Sequence, residues 1–429
     1  MRPIELLIPA GDLETLKVGV HYGADAIYVG GTFFGLRAKA NKFDKEKLIE
    51  AREYCHKYGV KLFITVNITA HNEDLEKLPA YIQELNEVKP DAVIVSDPGV
   101  FTELKADLDP EIEIHISTQA NNVNYAGFKF WHKLGAKRVV CARELSLKEI
   151  KGIRENIPDD LDIETFVHGA MCMAYSGRCL ISNFLTGRDA NKGECTHPCR
   201  WKYHVVEENR PGEYMPIIEE ENGTYLFNSK DLCMIEHIPD LVDAGIDSFK
   251  IEGRMKTALY VATVARTYRL AIDAYLESEE KYTEMLPYFK EEIGKCTYRS
   301  FTTGFFYGKP LKDAHIYDNN DYIKDYIYLG YVEEITEDGY CRFSQRNKFS
   351  VGETIEIMKP NGENIITKVV DMLNENKEQI EACPHPKKRT YVKLDTDLEI
   401  SEFDVMRKEG IDRKQRKLEL EGMCASCRE

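Results

Sequence analysis

Eight short apolar runs, separated by helix-like stretches, limit what this chain can fold into more than any other feature. They read "IELLIPAG" (4–11), "DAIYVGG" (25–31), "VKLFITVN" (60–67), "DAVIVSD" (91–97), "EIHISTQ" (113–119), "KRVVCAREL" (137–145), "IETFVHG" (163–169) and "DSFKIEG" (247–253). Segments such as "DKEKLIEAREYCHKYG" and "DLEKLPAYIQELNEV" lie between them, and "RMKTALYVATVARTYRLAIDAYLES" follows the eighth with the apolar spacing of a long helix. Continuous apolar strands alternating with helices indicate parallel βα units, because such strands are covered on both faces. Eight units over this length predict an α/β fold of the TIM-like (β/α)8 type. An open doubly wound sheet is the alternative, but no GxGxxG follows the first run.

On the barrel reading, chemistry sits at the C-terminal strand ends. These present Pro9, Ala10 and Gly11; Asn67; Asp97; Gln119; Arg143 and Glu144; His168 and Gly169; and Glu252, Gly253 and Arg254. A polar or glycine residue there is often only a turn. Its recurrence at nearly every strand favours a site. After about residue 310, "YIYLGYVEEI", "GYCRFSQRN", "ETIEIMK" and "NIITKVVDML" alternate like half-buried strands. The predicted organisation is a barrel over 1–312 with a Cys-rich insertion at 170–235, then a small antiparallel β domain with a basic tail over 320–429. Lys387, Lys388, Arg389, Arg407, Lys408, Arg413, Lys414, Arg416 and Lys417 are either a solvated surface or a dock for RNA phosphates.

Net charge is −16, which excludes a uniformly basic nucleic-acid binder but not a local basic patch. The N-terminus lacks a signal-peptide h-region and no apolar run reaches membrane-spanning length, so a cytoplasmic, membrane-free protein is expected. In that compartment twelve cysteines are not a disulfide framework.

Cys172, Cys179, Cys195 and Cys199 are separated by six, fifteen and three residues, and Cys233 follows. Zinc sites usually use CxxC knuckles, and the CxxC of this chain is Cys424–Cys427 in the tail. Irregularly spaced thiols in a loop-rich insertion fit a [4Fe–4S] cluster better. The CxxxCxxC of radical cluster enzymes fails at Lys202. Cys55 and Cys141 read as core fillers, and Cys296, Cys341 and Cys383 have no partners at useful spacing. Peptidase chemistry has no local support: HExxH is absent, and Ala174 and Arg178 stand where a GxSxG elbow around Ser176 needs glycines.

"ETFVHGAMCMAYSGRCLIS" resembles the signature of the peptidase U32 family. The likeness continues through "ELLIPAGDLETL", "STQANN", "ARELSL", "GRDANKGECTHPCRWKY", "NSKDLC", "DSFKIEGRMK" and "RSFTTGFFYGKP", and so covers nearly the whole chain. Within the family, the P-type tRNA 5-hydroxyuridine modification subgroup is the most similar. The resemblance implies oxygen-independent hydroxylation: of tRNA wobble uridine, with relatives acting on ribosomal RNA cytidine or a ubiquinone precursor. It implies a [4Fe–4S] cluster on Cys172, Cys179, Cys195 and Cys233, with Cys199 as the alternative fourth ligand. It also implies prephenate as co-substrate, the tRNA anticodon loop as partner and a second U32 protein as a further partner.

Arg178, Glu252, Arg254 and His168 are the candidate catalytic residues. Tyr175, Phe184 and Trp201 are candidates for stacking on an extruded base, or pack around the cluster. Arg178, Arg188, Lys192, Arg200 and Lys202 make a basic mouth that suits phosphates or a dianion, or balances the cluster's own charge. Two competing readings are a collagenase-like metallopeptidase and a non-catalytic RNA-binding partner.

Overall fold

A computed structural model describes residues 3–35, 43–172, 179–201, 204–205, 215–216, 230–309, 323–383 and 389–410. Seven strands and the helices between them come first: β1 (Glu5–Pro9), α1 (Leu13–His21), β2 (Ala26–Gly30), α2 (Lys45–Lys57), β3 (Lys61–Val66), α3 (Asn72–Leu75), α4 (Leu78–Val88), β4 (Ala92–Val95), α5 (Pro98–Asp107), β5 (Glu113–Ile116), α6 (Tyr125–Leu134), β6 (Arg138–Val140), α7 (Leu147–Arg154) and β7 (Asp162–Ala170). The cysteine segment adds α8 (Ile181–Thr186), the pair β8 (His204–Val205) and β9 (Met215–Pro216), and β10 (Asp231–Cys233). Then come α9 (Ile238–Asp243), β11 (Ser248–Ile251), α10 (Ala258–Glu277), α11 (Glu279–Ile293) and β12 (Phe301–Thr302).

Strands β1 to β7 pair in sequence order, all parallel, and β11 pairs with both β7 and β1, closing an eight-stranded barrel. This is the TIM-like architecture expected from the eight runs. The helices start where the sequence supplies a capping oxygen: Asp12, Asp44, Asp97, Asn124, Ser146, Thr257 and Ser278 each accept a backbone N–H of the first turn. That role accounts for Asp97, which caps α5 through Gly99 N (2.8 Å) and Val100 N (3.0 Å). It belongs to a turn, not to the site.

The barrel lumen has two chemically different walls. Leu7, Ala26, Tyr28, Phe63, Ala92 and Ile94 form an apolar cluster on β1 to β4. Facing it, Arg138 binds Glu164 (3.2 Å), Asp162 (3.1 Å) and Glu5, and Lys250 Nζ donates to Glu164 Oε1 (2.6 Å). Glu164 is fully buried, so both its oxygens need these cations.

A second, closed antiparallel barrel follows, with strand order β13 (Tyr326–Ile335), β14 (Cys341–Ser344), β17 (Arg389–Leu394), β16 (Asn364–Leu373), β15 (Thr354–Met358) and β18 (Val405–Glu409). It rests on the first through α10 and α11. Tyr22 Oη accepts from Val405 N (3.0 Å), His21 stacks on Phe403 at 4.1 Å, and Arg266 donates to Lys359 O (2.9 Å). At the centre Glu292 Oε2 accepts from Arg407 (2.9 Å) and Arg266, while Oε1 accepts from Lys295 (2.6 Å) and Asn364 (2.9 Å). Arg407 is therefore no RNA dock: it lies in β18, fully buried, and also binds Glu356 (2.7 Å). Lys408 pairs with Glu353. Arg389 is exposed at the start of β17. Lys387, Lys388, Arg413, Lys414, Arg416, Lys417, Cys424 and Cys427 lie outside the described residues.

Candidate active site at the barrel mouth

Inward positions on a strand recur every second residue. On β11 they are Ser248 and Lys250, and the next in line is Glu252. Lys250 sits 4.6 Å from the Tyr28 ring and 5.4 Å from the Phe166 ring, just below the mouth. Burial draws its ammonium below the usual lysine range, and the Glu164 carboxylate opposes that shift. Above Phe166 lies Arg143, its guanidinium 3.9 Å from the ring centre. Arg143 Nη1 donates to Ala170 O (2.7 Å) and Nη2 stands 3.8 Å from Glu252 Oε2. Arg254 is buried; its Nη1 crosses to β3 and donates to Thr65 Oγ1 (3.0 Å). Tyr28 Oη donates to Ile251 O (2.9 Å) and stands 3.4 Å from Glu252 Oε2.

Two glycines let the end of β11 sit this deep. A Cβ on Gly11 would lie 2.3 Å from Arg254 O, and one on Gly169 (φ +107°) would lie 2.5 Å from Glu252 O. The mouth thus holds the Arg143 guanidinium beside the Glu252 carboxylate, with the Arg254 guanidinium reaching across to β3. Such a set binds a small anion with carboxylate or phosphate groups.

The opposite rim is neutral. Asn67 Nδ2 donates to Ser117 Oγ (3.1 Å), Ser96 Oγ donates to Asn67 O (3.1 Å), and Gln119 N donates to Ser117 Oγ (3.2 Å).

His168 does not belong to the mouth, which corrects its expected catalytic role. Between β7 and β11 the register slips: Lys250 pairs with Phe166, but Ile251 pairs with His168. The extra residue is a β-bulge and turns His168 from the lumen to the outer face. There it is 1% exposed among Tyr260, Tyr268 and Phe301. Burial, aided by Lys256, pushes its imidazole down to about 3, so it is neutral at physiological pH and shielded from a substrate.

The thiols are placed in two groups. Cys172 is exposed just beyond β7. Cys233 is in β10, which pairs antiparallel with the end of β7 and sets Cys233 opposite His168. Its Sγ is 4.0 Å from Tyr268 Oη, and burial pushes the thiol up to about 12. Cys179, Cys195 and Cys199 are all partly exposed and share one small unit. Asn191 Nδ2 donates to Cys179 O (3.0 Å), Thr196 N donates to Ser182 Oγ (3.1 Å), and His197 N donates to Cys195 Sγ (3.4 Å). Thr69 N to Asn191 O (3.0 Å) and Lys192 to Asp74 (3.2 Å) anchor this unit to the loop after β3, across the barrel from β7. The thiols thus fall in two groups toward the mouth end of the barrel.

Among the described residues no three of His, Cys, Asp or Glu converge on one metal ion. A cubane cluster asks for something else. Each thiolate takes its own iron, so the ligands spread around a volume, and N–H···S bonds such as that to Cys195 suit its sulfurs. In chemistry the donor set, several thiols near one end of the barrel, fits such a group. Trp201 (46% exposed) and Arg188 are on the surface beside it. Arg178, Tyr175, Lys202 and the side chains of Phe184 and Arg200 lie outside the described residues.

Sequence reasoning passed over Tyr28, Thr65, Ser117 and Lys250. The signal was available: a lysine in the middle of "DSFKIEG" and a glutamate in "IETFVHG" are out of place in apolar strands unless they face each other.

Comparison with known proteins matches Peptidase family U32 over residues 11–316 and the Peptidase family U32 C-terminal domain over 324–407. The chain belongs to peptidase family U32. It is 40% identical to tRNA hydroxylation protein P1 of Bacillus subtilis, covering 94% of each chain. It is 37% identical to tRNA hydroxylation protein P of Escherichia coli, covering 94% of this chain and 96% of that one. With the 23S rRNA 5-hydroxycytidine C2501 synthase of E. coli it shares 34% identity, over 78% of this chain and 50% of the relative. No described helix is long and apolar enough to cross a membrane.

Proposed function

We propose that this protein hydroxylates RNA at the 5-carbon of a pyrimidine, its substrate being the wobble uridine of tRNA. Full-length similarity to tRNA hydroxylation proteins carries this reading, and the rRNA relative puts the same reaction on cytidine within the family. Replacing C5–H by C5–OH with water as the oxygen source releases two protons and two electrons; no side chain in the mouth can accept the electrons, so they must pass one at a time to an external one-electron acceptor. A [4Fe–4S] cluster on Cys172, Cys179, Cys195 and Cys233, or with Cys199 as the fourth ligand, supplies one-electron transfer when bound. Arg254 and Arg143 hold the carboxylates of prephenate, the co-substrate. Glu252, beside the Arg143 guanidinium, takes the proton that leaves C5 on Oε2. The extruded base enters the mouth above Arg143 and Glu252.

Complementing a gene-deletion strain tests this by nucleoside mass spectrometry of total tRNA. Wild type restores 5-hydroxyuridine; Arg254→Ala leaves it about tenfold or more lower, the cost of a lost charge-assisted contact of about 1.5–3 kcal/mol. Equal 5-hydroxyuridine in the deletion strain and its parent overturns the reading.

A further inference from the structure

We propose that Thr65 is a positioning residue for anion binding: its hydroxyl holds the Arg254 guanidinium across the mouth, in place for a carboxylate of the co-substrate. This rests on the reading above, in which Arg254 and Arg143 hold a dicarboxylate, and adds the group that sets where one of those two arms lies.

Arg254 is fixed at both ends, by different strands. At the backbone, its carbonyl packs so closely on Gly11 that a Cβ there would lie 2.3 Å away. At the far end, Nη1 donates to Thr65 Oγ1 at 3.0 Å. Thr65 lies in β3, three strands round the barrel from β11, so the arginine reaches across the lumen instead of along its own wall. Its guanidinium carbon stands 5.9 Å from the centre of the Tyr28 ring. Both partners are shielded, with Thr65 3% and Arg254 8% exposed. A β-branched side chain is stiff at χ1, so the strand that carries Thr65 also fixes the direction of its hydroxyl.

Without that tie the guanidinium is pushed away. Lys250 stands 4.6 Å from the same Tyr28 ring, which brings two cations to one aromatic. Burial lowers the Lys250 ammonium, and the charges of Arg138 and Arg254 add to that shift, as like charges close together must. An untied arginine relieves the repulsion by turning toward water, and the rotamer freedom it regains favours the same move. Thr65 opposes both. An arm already in place loses little freedom when the anion arrives, so the anion binds more tightly. The hydroxyl acts only through Arg254.

The test titrates prephenate into full-length protein purified without oxygen and follows binding by calorimetry, with melting temperature and iron content measured on the same samples. Thr65→Val keeps the branched shape without the hydroxyl; it is expected to weaken binding about tenfold, the cost of one hydrogen bond to a charged group, with iron at the wild-type level. Thr65→Ser keeps an acceptor at the same place and restores the wild-type affinity, which a role in packing alone would not do. Valine and serine variants of equal affinity, whether both match wild type or both are weak, overturn the role of the hydroxyl and leave the reading of the mouth standing. Wild type that binds no prephenate removes the anion site and this inference with it. In that case full 5-hydroxyuridine in the complemented strain leaves RNA hydroxylation standing without the site, and its absence sinks both.

Discussion

Cys179→Ala is expected to purify colourless and iron-free under anaerobic conditions, and to leave 5-hydroxyuridine in total tRNA at least about tenfold below the wild-type level. Altering groups that merely support a metal ligand costs about 10–100-fold, so losing a ligand costs at least that. Cys179 is the cleanest position for the test. It is partly exposed, and the contact that fixes it, Asn191 Nδ2 to its carbonyl, belongs to the main chain and survives the substitution. Cys383→Ala serves as the comparison, because that thiol is buried in the small barrel far from the mouth and its loss leaves iron content unchanged. The pair Cys199→Ala and Cys233→Ala then separates the two candidate fourth ligands. A Cys179→Ala protein with wild-type iron and wild-type hydroxyuridine would rule that residue out.

Glu292→Ala is expected to destabilise the protein by about 3–5 kcal/mol, read from the midpoint of urea unfolding. Removing one member of a buried ion network leaves the others charged and unpaired. Here Arg266 is left without a carboxylate partner and Arg407 keeps only Glu356, both essentially inaccessible to water. With total stabilities of about 5–15 kcal/mol for a folded domain, this is a large fraction. The same carboxylate gives an acid-side signature. Burial raises its pKa, but Arg407, Arg266 and Lys295 outweigh burial and hold it down to about 2. A depressed carboxylate stabilises the fold fully above its unfolded-state value of about 4.3, and that contribution is lost as pH falls toward 2. Wild type is therefore expected to lose stability more steeply than Glu292→Gln over that interval. A cost below about 1 kcal/mol for the alanine variant would mean the two barrels do not depend on this contact.

The sequence made the barrel legible because each strand is a local pattern. All eight runs became strands, and the four runs after residue 310 became β13 to β16. The last two strands of the small barrel were not legible. "RTYVKL" and "VMRKE" interleave charge with apolar residues, since one face of a closed barrel meets water or a partner domain. Arg407 looked like part of a basic surface because its partner Glu292 is 115 residues away in sequence, beyond any local pattern. His168 was misplaced for a different reason. Counting alternate residues along β7 puts it in the lumen, and only the bulge opposite Lys250 turns it out. The cysteine spacing marked the right end of the barrel, yet it did not disclose that Cys179, Cys195 and Cys199 form a unit anchored to the far side. The polar rim of Asn67 and Ser117 joins residues fifty positions apart through a single hydrogen bond. Strand order alone brings them together.

Iron and acid-labile sulfide, measured on wild-type protein purified without oxygen and tested for hydroxyuridine formation, bear most directly on the central claim. The account predicts a brown protein with about four irons and four sulfides per chain, the content of one [4Fe–4S] cluster, and activity that falls as the cluster is lost. A colourless protein without iron that retains full activity would contradict it.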